Sequence, residues 1–255
     1  ADVKFFVDMI GEDSFDKIEE FTKDGHRVLN MIEDSPHTTI ALTTGLALGG
    51  GLELALSCDY RVGTEKTMLR FPETSIGIYP GLGGTQRATR VCGIEAARFA
   101  VLAGNFMDAP TATALGFITH LVDPSQVSDT VSFVASSGKP EEKYPGRPSD
   151  PSHPVSSMSK AFYSDANMGA ILSGEVPEGF DPEDKNVARQ LKSLSRAAPV
   201  AVRIASDLLD KALSTDLAAG LQLELDALDE IFATQDAREG LSALIEGRRP
   251  EYVGS

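Results

Sequence analysis

The sequence predicts an α/β fold, on three observations. Short apolar runs rich in strand formers alternate with stretches of helical periodicity through the first half of the chain, the pattern of helices laid against sheets. One alternation, residues 38–57, passes from strand to helix through a run of glycines. The chain then closes on successive helical patterns whose apolar stripes need a surface to cover them.

Residues 14–33 carry Phe15, Ile18, Phe21, Val28, Leu29 and Ile32, a broken helical stripe that Ser14 can cap. Residues 38–44 read as a short buried strand, 45–51 as a tight glycine passage and 52–57 as an apolar helix. Residues 60–63 and 68–71 are two further strands, the second closed by Pro72-Glu73. A helix runs over 85–103 with a break near Gly93, another over 109–114 ends at Gly116, and 117–122 is a strand.

Composition changes after Gly138. Pro140, Pro145, Pro148, Pro151 and Pro154 fall among serines, which excludes a regular helix or a central strand there. Weaker helical patches follow at 158–172 and 184–194. The chain therefore divides into a core over 1–137, a Pro/Ser-rich surface insertion over 138–190 that the core fold can spare, and a helical region over 191–255. In that last region Pro199 suits a first helical turn, Asp216 can cap 217–234, and Asp236 to Glu239 has capping-box spacing. Its apolar helical surface exceeds what one subunit plausibly covers, so a trimer or hexamer is expected.

Of the 255 residues 42% are apolar and 24% charged, which excludes disorder and disulfide scaffolds. Lys plus Arg is 23 against 38 for Asp plus Glu, a net charge of −15, so neither nucleic acid nor an anionic membrane surface is an expected partner. An anionic small molecule is compatible with locally placed cations. Cys58 and Cys92 lack metal-ligand spacing and read as unpaired thiols in a reducing interior, and the scattered histidines offer no ligand pair. No metal site is expected. With neither a leader-like start nor an apolar run of membrane-spanning length, a cytoplasmic protein is expected.

The chemistry concentrates in residues 45–84. The glycines before 52–57 bring unshielded N–H groups to a positive helix end, an arrangement suited to a developing oxyanion, although they also serve close packing of helix on strand. No Gly-Lys-Ser/Thr follows, which sets aside a nucleotide-triphosphate loop. Glu53 lies among Leu52, Leu54, Ala55 and Leu56, where partial desolvation raises a carboxyl pKa; the alternative is an exposed glutamate at a helix N-terminus. Glu73 follows Phe71-Pro72 at a strand end. Two carboxylates from separate element ends beside glycine-rich turns suit paired acid and base roles.

The runs A-L-G-G-G-L-E-L-A-L-S-C-D (47–59), P-E-T-S-I-G-I-Y-P-G-L-G-G-T-Q-R (72–87), R-F-A-V-L-A-G-N-F-M-D-A-P-T-A-T-A-L-G-F-I-T-H-L-V-D (98–123) and D-A-R-E-G-L-S-A-L-I-E (236–246) resemble the enoyl-CoA hydratase/isomerase, or crotonase, family over roughly 1–135 and 195–255. The resemblance implies a crotonase-like spiral of ββα turns with a helical C-terminal region that mediates assembly as a homotrimer or dimer of trimers. It implies an acyl-CoA thioester substrate whose carbonyl is held by the backbone N–H groups of Ala1 and Gly50, with Glu53 and Glu73 as the acid/base pair, and Tyr79 and the 80–84 loop, Gly81 included, bordering the acyl pocket. The implied reaction is hydration of trans-2-enoyl-CoA to 3-hydroxyacyl-CoA, coenzyme A entering as part of the substrate and no other cofactor being needed in this portion. Relatives that isomerise, hydrolyse or decarboxylate often keep one glutamate or neither, so Δ3,Δ2-enoyl-CoA isomerisation and a non-catalytic, CoA-binding assembly subunit stand as rivals.

Two departures accompany the resemblance. The 138–190 stretch resembles the linkers of hydratase domains fused to a 3-hydroxyacyl-CoA dehydrogenase, a fusion that would bring NAD. The chain also starts within the family's G-A-D segment, so residues before Ala1 are expected, and without the family's opening strands 38–44 and 60–63 would have unpaired edges. Arg87, Arg90, Arg248 and Arg249 are cations available to CoA phosphates, although ordinary solvated helix charges are the simpler reading of them.

Overall fold

The computed structural model describes residues 3–255. Its elements in chain order are α1 (Val3–Gly11), α2 (Phe15–Glu33), β1 (Ile40–Thr43), β2 (Leu46–Leu48), α3 (Gly50–Ser57), β3 (Tyr60–Gly63), β4 (Met68–Arg70), a 3-10 turn (Glu73–Ile76), α4 (Gly84–Cys92), α5 (Ile94–Val101), β5 (Met107–Asp108), α6 (Ala109–Leu115), β6 (His120–Leu121) and α7 (Val127–Ser137). Helices α8 (Pro154–Phe162), α9 (Asp165–Leu172), α10 (Lys185–Leu194), α11 (Pro199–Lys211), α12 (Leu217–Asp226), α13 (Leu228–Phe232) and α14 (Gln235–Glu246) complete it.

Two small sheets lie side by side. One runs β1-β3-β6, all parallel; the other runs β2-β4-β5, with β4 parallel to β2 and antiparallel to β5. The chain visits the first sheet, then the second, then a helix, and repeats: β1-β2-α3, then β3-β4 and the 3-10 turn leading to α4. This is the expected ββα spiral. Its pitch in sequence is about one strand pair and one helix, since Ile40 pairs with Tyr60 and Leu46 with Met68. Residues some twenty positions apart therefore sit on successive turns, which is the separation of Glu53 and Glu73.

Several elements differ from their sequence reading. The 45–51 passage contains β2, which three residues with Leu46 and Leu48 exposed conceal from any hydrophobic pattern. Strand β1 is half-exposed rather than buried, Leu42 facing outward. It stands at the edge of its sheet as expected, but β3 is paired on both sides. Strand β6 shrinks to two residues, and α7 has no counterpart in the sequence reading. Ser14 precedes α2 without a side-chain cap bond. The 217–234 helix breaks at Ala227 into α12 and α13, Asp216 capping the first through Ala219 N–H. The capping box does not form: Thr234 caps α14, and Asp236 instead accepts the Val253 and Gly254 N–H groups at 2.8 and 3.0 Å, pinning the C-terminal segment.

The surface-insertion reading of 138–190 needs correction. Phe162 and Tyr163 are fully buried in the main core, α8 packs on α5 and α6, and the Tyr163 hydroxyl donates to Gln190 at 3.0 Å while Arg98 holds the Tyr163 carbonyl at 2.8 Å. The prolines do forbid regular structure before Pro154, but apolar residues behind them still enter the core. Most of the tail's apolar stripe, including Ile204, Leu208, Leu209, Ile231 and Leu241, is likewise covered by the subunit's own core; Leu244 and Ile245 remain half-exposed. No helix among the described residues is long and apolar enough to cross a membrane.

Candidate active site

The spiral stacks the two glutamates. Each follows a strand of the second sheet, Glu53 in the first turn of α3 after β2 and Glu73 at the start of the 3-10 turn after β4. The Gly49 N–H donates to the Arg70 carbonyl at 3.0 Å, tying the end of one turn to the end of the next. Gly49 has φ +49°, and a Cβ there would land on Glu73 Oε1. Glycine at 49 thus serves both a left-handed turn and the space for a carboxylate.

Glu53 is 2% exposed. Its Oε1 accepts the Leu82 and Gly84 N–H groups at 2.7 and 2.8 Å. Those amides converge because Gly83 turns the loop at φ +91° and because Gly84 has no side chain: a Cβ there would sit 2.6 Å from Pro80 Cβ and 2.7 Å from Glu53 Oε1. Glu73 is buried too, and its Oε2 has no hydrogen-bond partner among the described residues. Gly50 opens α3, so its N–H lacks an intrahelical acceptor and points from the positive helix end.

Gly50, Glu53, Glu73, Tyr79 and Gly81 all line one cavity of about 90 Å³, walled by Phe6, Ile231 and Phe232 among other apolar groups. Five of the six residues read from the sequence thus come together. The sixth, Ala1, lies outside the described residues. Tyr79 offers its ring rather than its hydroxyl, which donates to the Glu224 carbonyl at 2.5 Å.

Burial raises the Glu53 carboxyl well above the ordinary carboxylate range; the negative charges of Glu73 and Glu224 add to this, and the two loop amides oppose it. Burial likewise pushes Glu73 up to about 8, against its own backbone N–H and the Arg70 guanidinium. Two like charges in so dry a space are costly, so the pair retains a proton through neutral pH. The expected partial desolvation of Glu53 is in fact complete, and the exposed alternative fails. A paired acid and base of this kind can take a proton from one atom of a bound molecule and give one to another, beside a backbone donor for negative charge.

Sequence reasoning missed Glu224. Fully buried on α12, it accepts the Gly83 N–H at 2.7 Å and the Thr85 hydroxyl at 2.5 Å, and it meets His26 Nε2 at 3.1 Å. His26 Nε2 also lies 2.7 Å from the Gly81 carbonyl, which only accepts, so this nitrogen carries its hydrogen. Together they clamp the 81–85 loop that supplies the donors to Glu53. The available signal was spacing: Leu221, Glu224 and Leu228 share a helical stripe, which puts the carboxylate on the core side.

The four arginines considered for phosphate do not act alike. Arg87 is fully buried, paired with Glu33 at 2.8 Å and donating to Asn30 and the Leu82 carbonyl, so it is a structural clamp. Arg90 donates to Gln86 and the Thr215 carbonyl, and Arg248 pairs with Glu239 and Glu246. Arg249 alone of the four has no carboxylate or side-chain partner among the described residues. Cys58 and Cys92 are buried free thiols. No group of three or more His, Cys, Asp or Glu side chains among the described residues could hold a metal ion.

The model of the enoyl-CoA hydratase/isomerase family matches residues 1–253. The chain is 30% identical over 236 residues to an enoyl-CoA isomerase/hydratase of Mycosarcoma maydis, covering 92% of this chain and 66% of that protein. It is 30% identical over 227 residues to the mitochondrial methylglutaconyl-CoA hydratase of Homo sapiens, covering 89% and 52% respectively. The chain thus spans about half to two thirds of the length of these relatives. Among solved structures it resembles an enoyl-CoA hydratase from Rhodobacter sphaeroides, with TM-score 0.80 and 20% identity over 100% of this chain and 75% of that one, a likeness of fold.

Proposed function

The chain belongs to the enoyl-CoA hydratase/isomerase family, and from that premise we propose that it hydrates a trans-2-enoyl-CoA thioester to the 3-hydroxyacyl-CoA. The observation that carries this reading is the meeting of Glu53 and Glu73 on one buried cavity beside the Gly50 N–H. Hydration moves two protons: one leaves the water that attacks Cβ, and one arrives at Cα. In between, negative charge accumulates on the thioester oxygen. A single carboxylate can shuttle one proton between carbons, as isomerisation requires, but two carboxyls, one protonated and one not, fit the addition of water.

The roles follow from the surroundings. Glu53, with one oxygen fixed by two amide donors that favour its charged form, is assigned as the base that activates water. Glu73, with an oxygen that meets no donor among the described residues, is assigned as the acid that protonates Cα. The Gly50 N–H receives the enolate oxygen, and Ala1 is the second donor in this reading. The coenzyme A moiety is part of the substrate, and a fused dehydrogenase with its NAD forms no part of the proposal. We further propose assembly as a homotrimer or dimer of trimers, to which the half-exposed Leu244 and Ile245 would contribute.

The test is crotonyl-CoA hydration by Glu53→Gln and Glu73→Gln. Each should fall by at least ~10²-fold, as for a lost acid or base, with CoA-ester binding little changed. Near-normal turnover in either variant removes the paired mechanism; one inactive variant together with isomerase activity favours isomerisation instead.

A further inference from the structure

A second cleft, of about 620 Å³, lies where the 103–106 loop, α10 and the C-terminal segment meet. Arg70, Arg189, Arg196 and Arg249 line it, and no Asp or Glu does. In a chain with 38 carboxylates against 23 Lys and Arg, a cation readily finds an acidic partner, yet none of these four is in an ion pair among the described residues. Arg70 is the anchored one. Its Nε donates to the Gly104 carbonyl at 2.5 Å, its Nη2 to Ser75 Oγ at 3.1 Å, and its guanidinium lies 5.0 Å from the centre of the Phe106 ring. Arg189 donates to the Phe106 carbonyl at 3.3 Å, while Arg196 and Arg249 make no side-chain hydrogen bond among the described residues. Phe106 itself is 40% exposed.

The cleft shares no lining residue with the cavity of Glu53 and Glu73. It backs onto the same 3-10 turn from outside, where Tyr252 donates to the Ser75 carbonyl at 2.8 Å and Arg70 grips the Ser75 hydroxyl.

We propose that this cleft is a separate binding site for a small molecule carrying two or more phosphate groups. The size lies within the range of small-molecule sites. Guanidinium forks match phosphate oxygens, and several of them facing one space are offset by a multiply charged ligand better than by a single monovalent ion. The open Phe106 ring adds a stacking face that a nucleoside would use and inorganic pyrophosphate would not. Ser75, Asn105 and Ser193 supply neutral polar groups around the cations. The cleft is invisible in the sequence because its arginines come from a strand, α10, the segment after α10 and the C-terminal tail, and because the overall charge points the other way.

Calorimetric titration at fixed ionic strength, with inorganic pyrophosphate and with ADP as probes, tests this. Saturable binding of at least one probe is expected, weakened at least ~10-fold in Arg189→Ala/Arg249→Ala, two exposed positions whose replacement should leave the thermal unfolding midpoint unchanged. Glu53→Gln should bind the probe as the unaltered protein does, which keeps this site distinct from the catalytic one. Equal affinity for both probes would identify phosphate groups alone as the ligand; tighter ADP binding that Phe106→Ala abolishes would identify a nucleotide. No saturable binding of either probe, unaltered affinity in the double arginine variant, or loss of binding in Glu53→Gln would overturn the proposal.

Discussion

Glu73→Gln should make the protein more stable at alkaline pH as it makes it inactive. The Glu73 carboxyl is held at about 8 against an ordinary 4.5, because burial disfavours its charged form. The folded state therefore binds this proton more tightly than the unfolded chain. Whatever stability that preference supplies is fully present below about pH 4.5, is lost as pH rises, and is gone above about pH 8. At about 1.4 kcal/mol for each tenfold change in acidity, the span from 4.5 to about 8 corresponds to roughly 5 kcal/mol. Glutamine has nearly the same shape and cannot ionise, so the variant escapes this loss. Its amide also meets a site without partners, which subtracts on the order of 1–3 kcal/mol at every pH. The variant should thus be no more stable than the unaltered protein near pH 5, and gain about 2–4 kcal/mol on it by about pH 9. Urea unfolding followed by circular dichroism across that range measures the difference directly. Parallel stability profiles, with a pH-independent offset, would refute the claim that Glu73 is buried as a proton-retaining carboxyl.

Other consequences follow from the same geometry. Gly49→Ala places a methyl group on Glu73 Oε1 at a left-handed φ, so hydration should drop ~10²-fold for a fold penalty of only about 1–3 kcal/mol, read by steady-state kinetics beside unfolding. Glu224→Leu leaves the Gly83 N–H and the Thr85 hydroxyl without their acceptor and His26 with the Gly81 carbonyl alone; a loss of about 3–5 kcal/mol is expected, while Glu224→Gln should keep the fold and lower kcat more than it raises KM. Phe162→Ala should destabilise the protein by about 3–5 kcal/mol, because the 138–190 stretch contributes to the core; an unchanged unfolding midpoint would restore the view of a dispensable insertion.

The sequence was most informative where local chemistry and long-range geometry agree. Glycine runs at 49–51 and 81–84 must serve special turns, and Glu53 among its apolar neighbours and Glu73 at a strand end are legible as a carboxylate pair before any coordinates; that their twenty-residue interval equals one repeat of the spiral emerges only from the strand pairing. Strand β2 could not, since Leu46 and Leu48 are exposed and three residues carry no periodicity. The capping-box reading of Asp236 failed for a different reason: its carboxylate is claimed by backbone seventeen and eighteen residues downstream, and local spacing says nothing about that competition. Arg87 looked like a solvated helix charge and is a buried clamp because α2 brings Glu33 and Asn30 to it. Proline density at 140–154 correctly excluded regular structure there, yet it says nothing about Phe162 and Tyr163, whose burial depends on α5 and α6.

The central claim, addition of water by two carboxyls, is tested most directly by isotopes. Crotonyl-CoA is incubated with the protein in deuterated, oxygen-18-enriched water and the product analysed by mass spectrometry and NMR. The account predicts 3-hydroxybutyryl-CoA with one oxygen-18 at C3 and one deuterium at C2, formed by the unaltered protein and reduced at least ~10²-fold in both Glu53→Gln and Glu73→Gln. Deuterium exchange at carbon without oxygen-18 in the product, or labelled product formed undiminished by either variant, would contradict it.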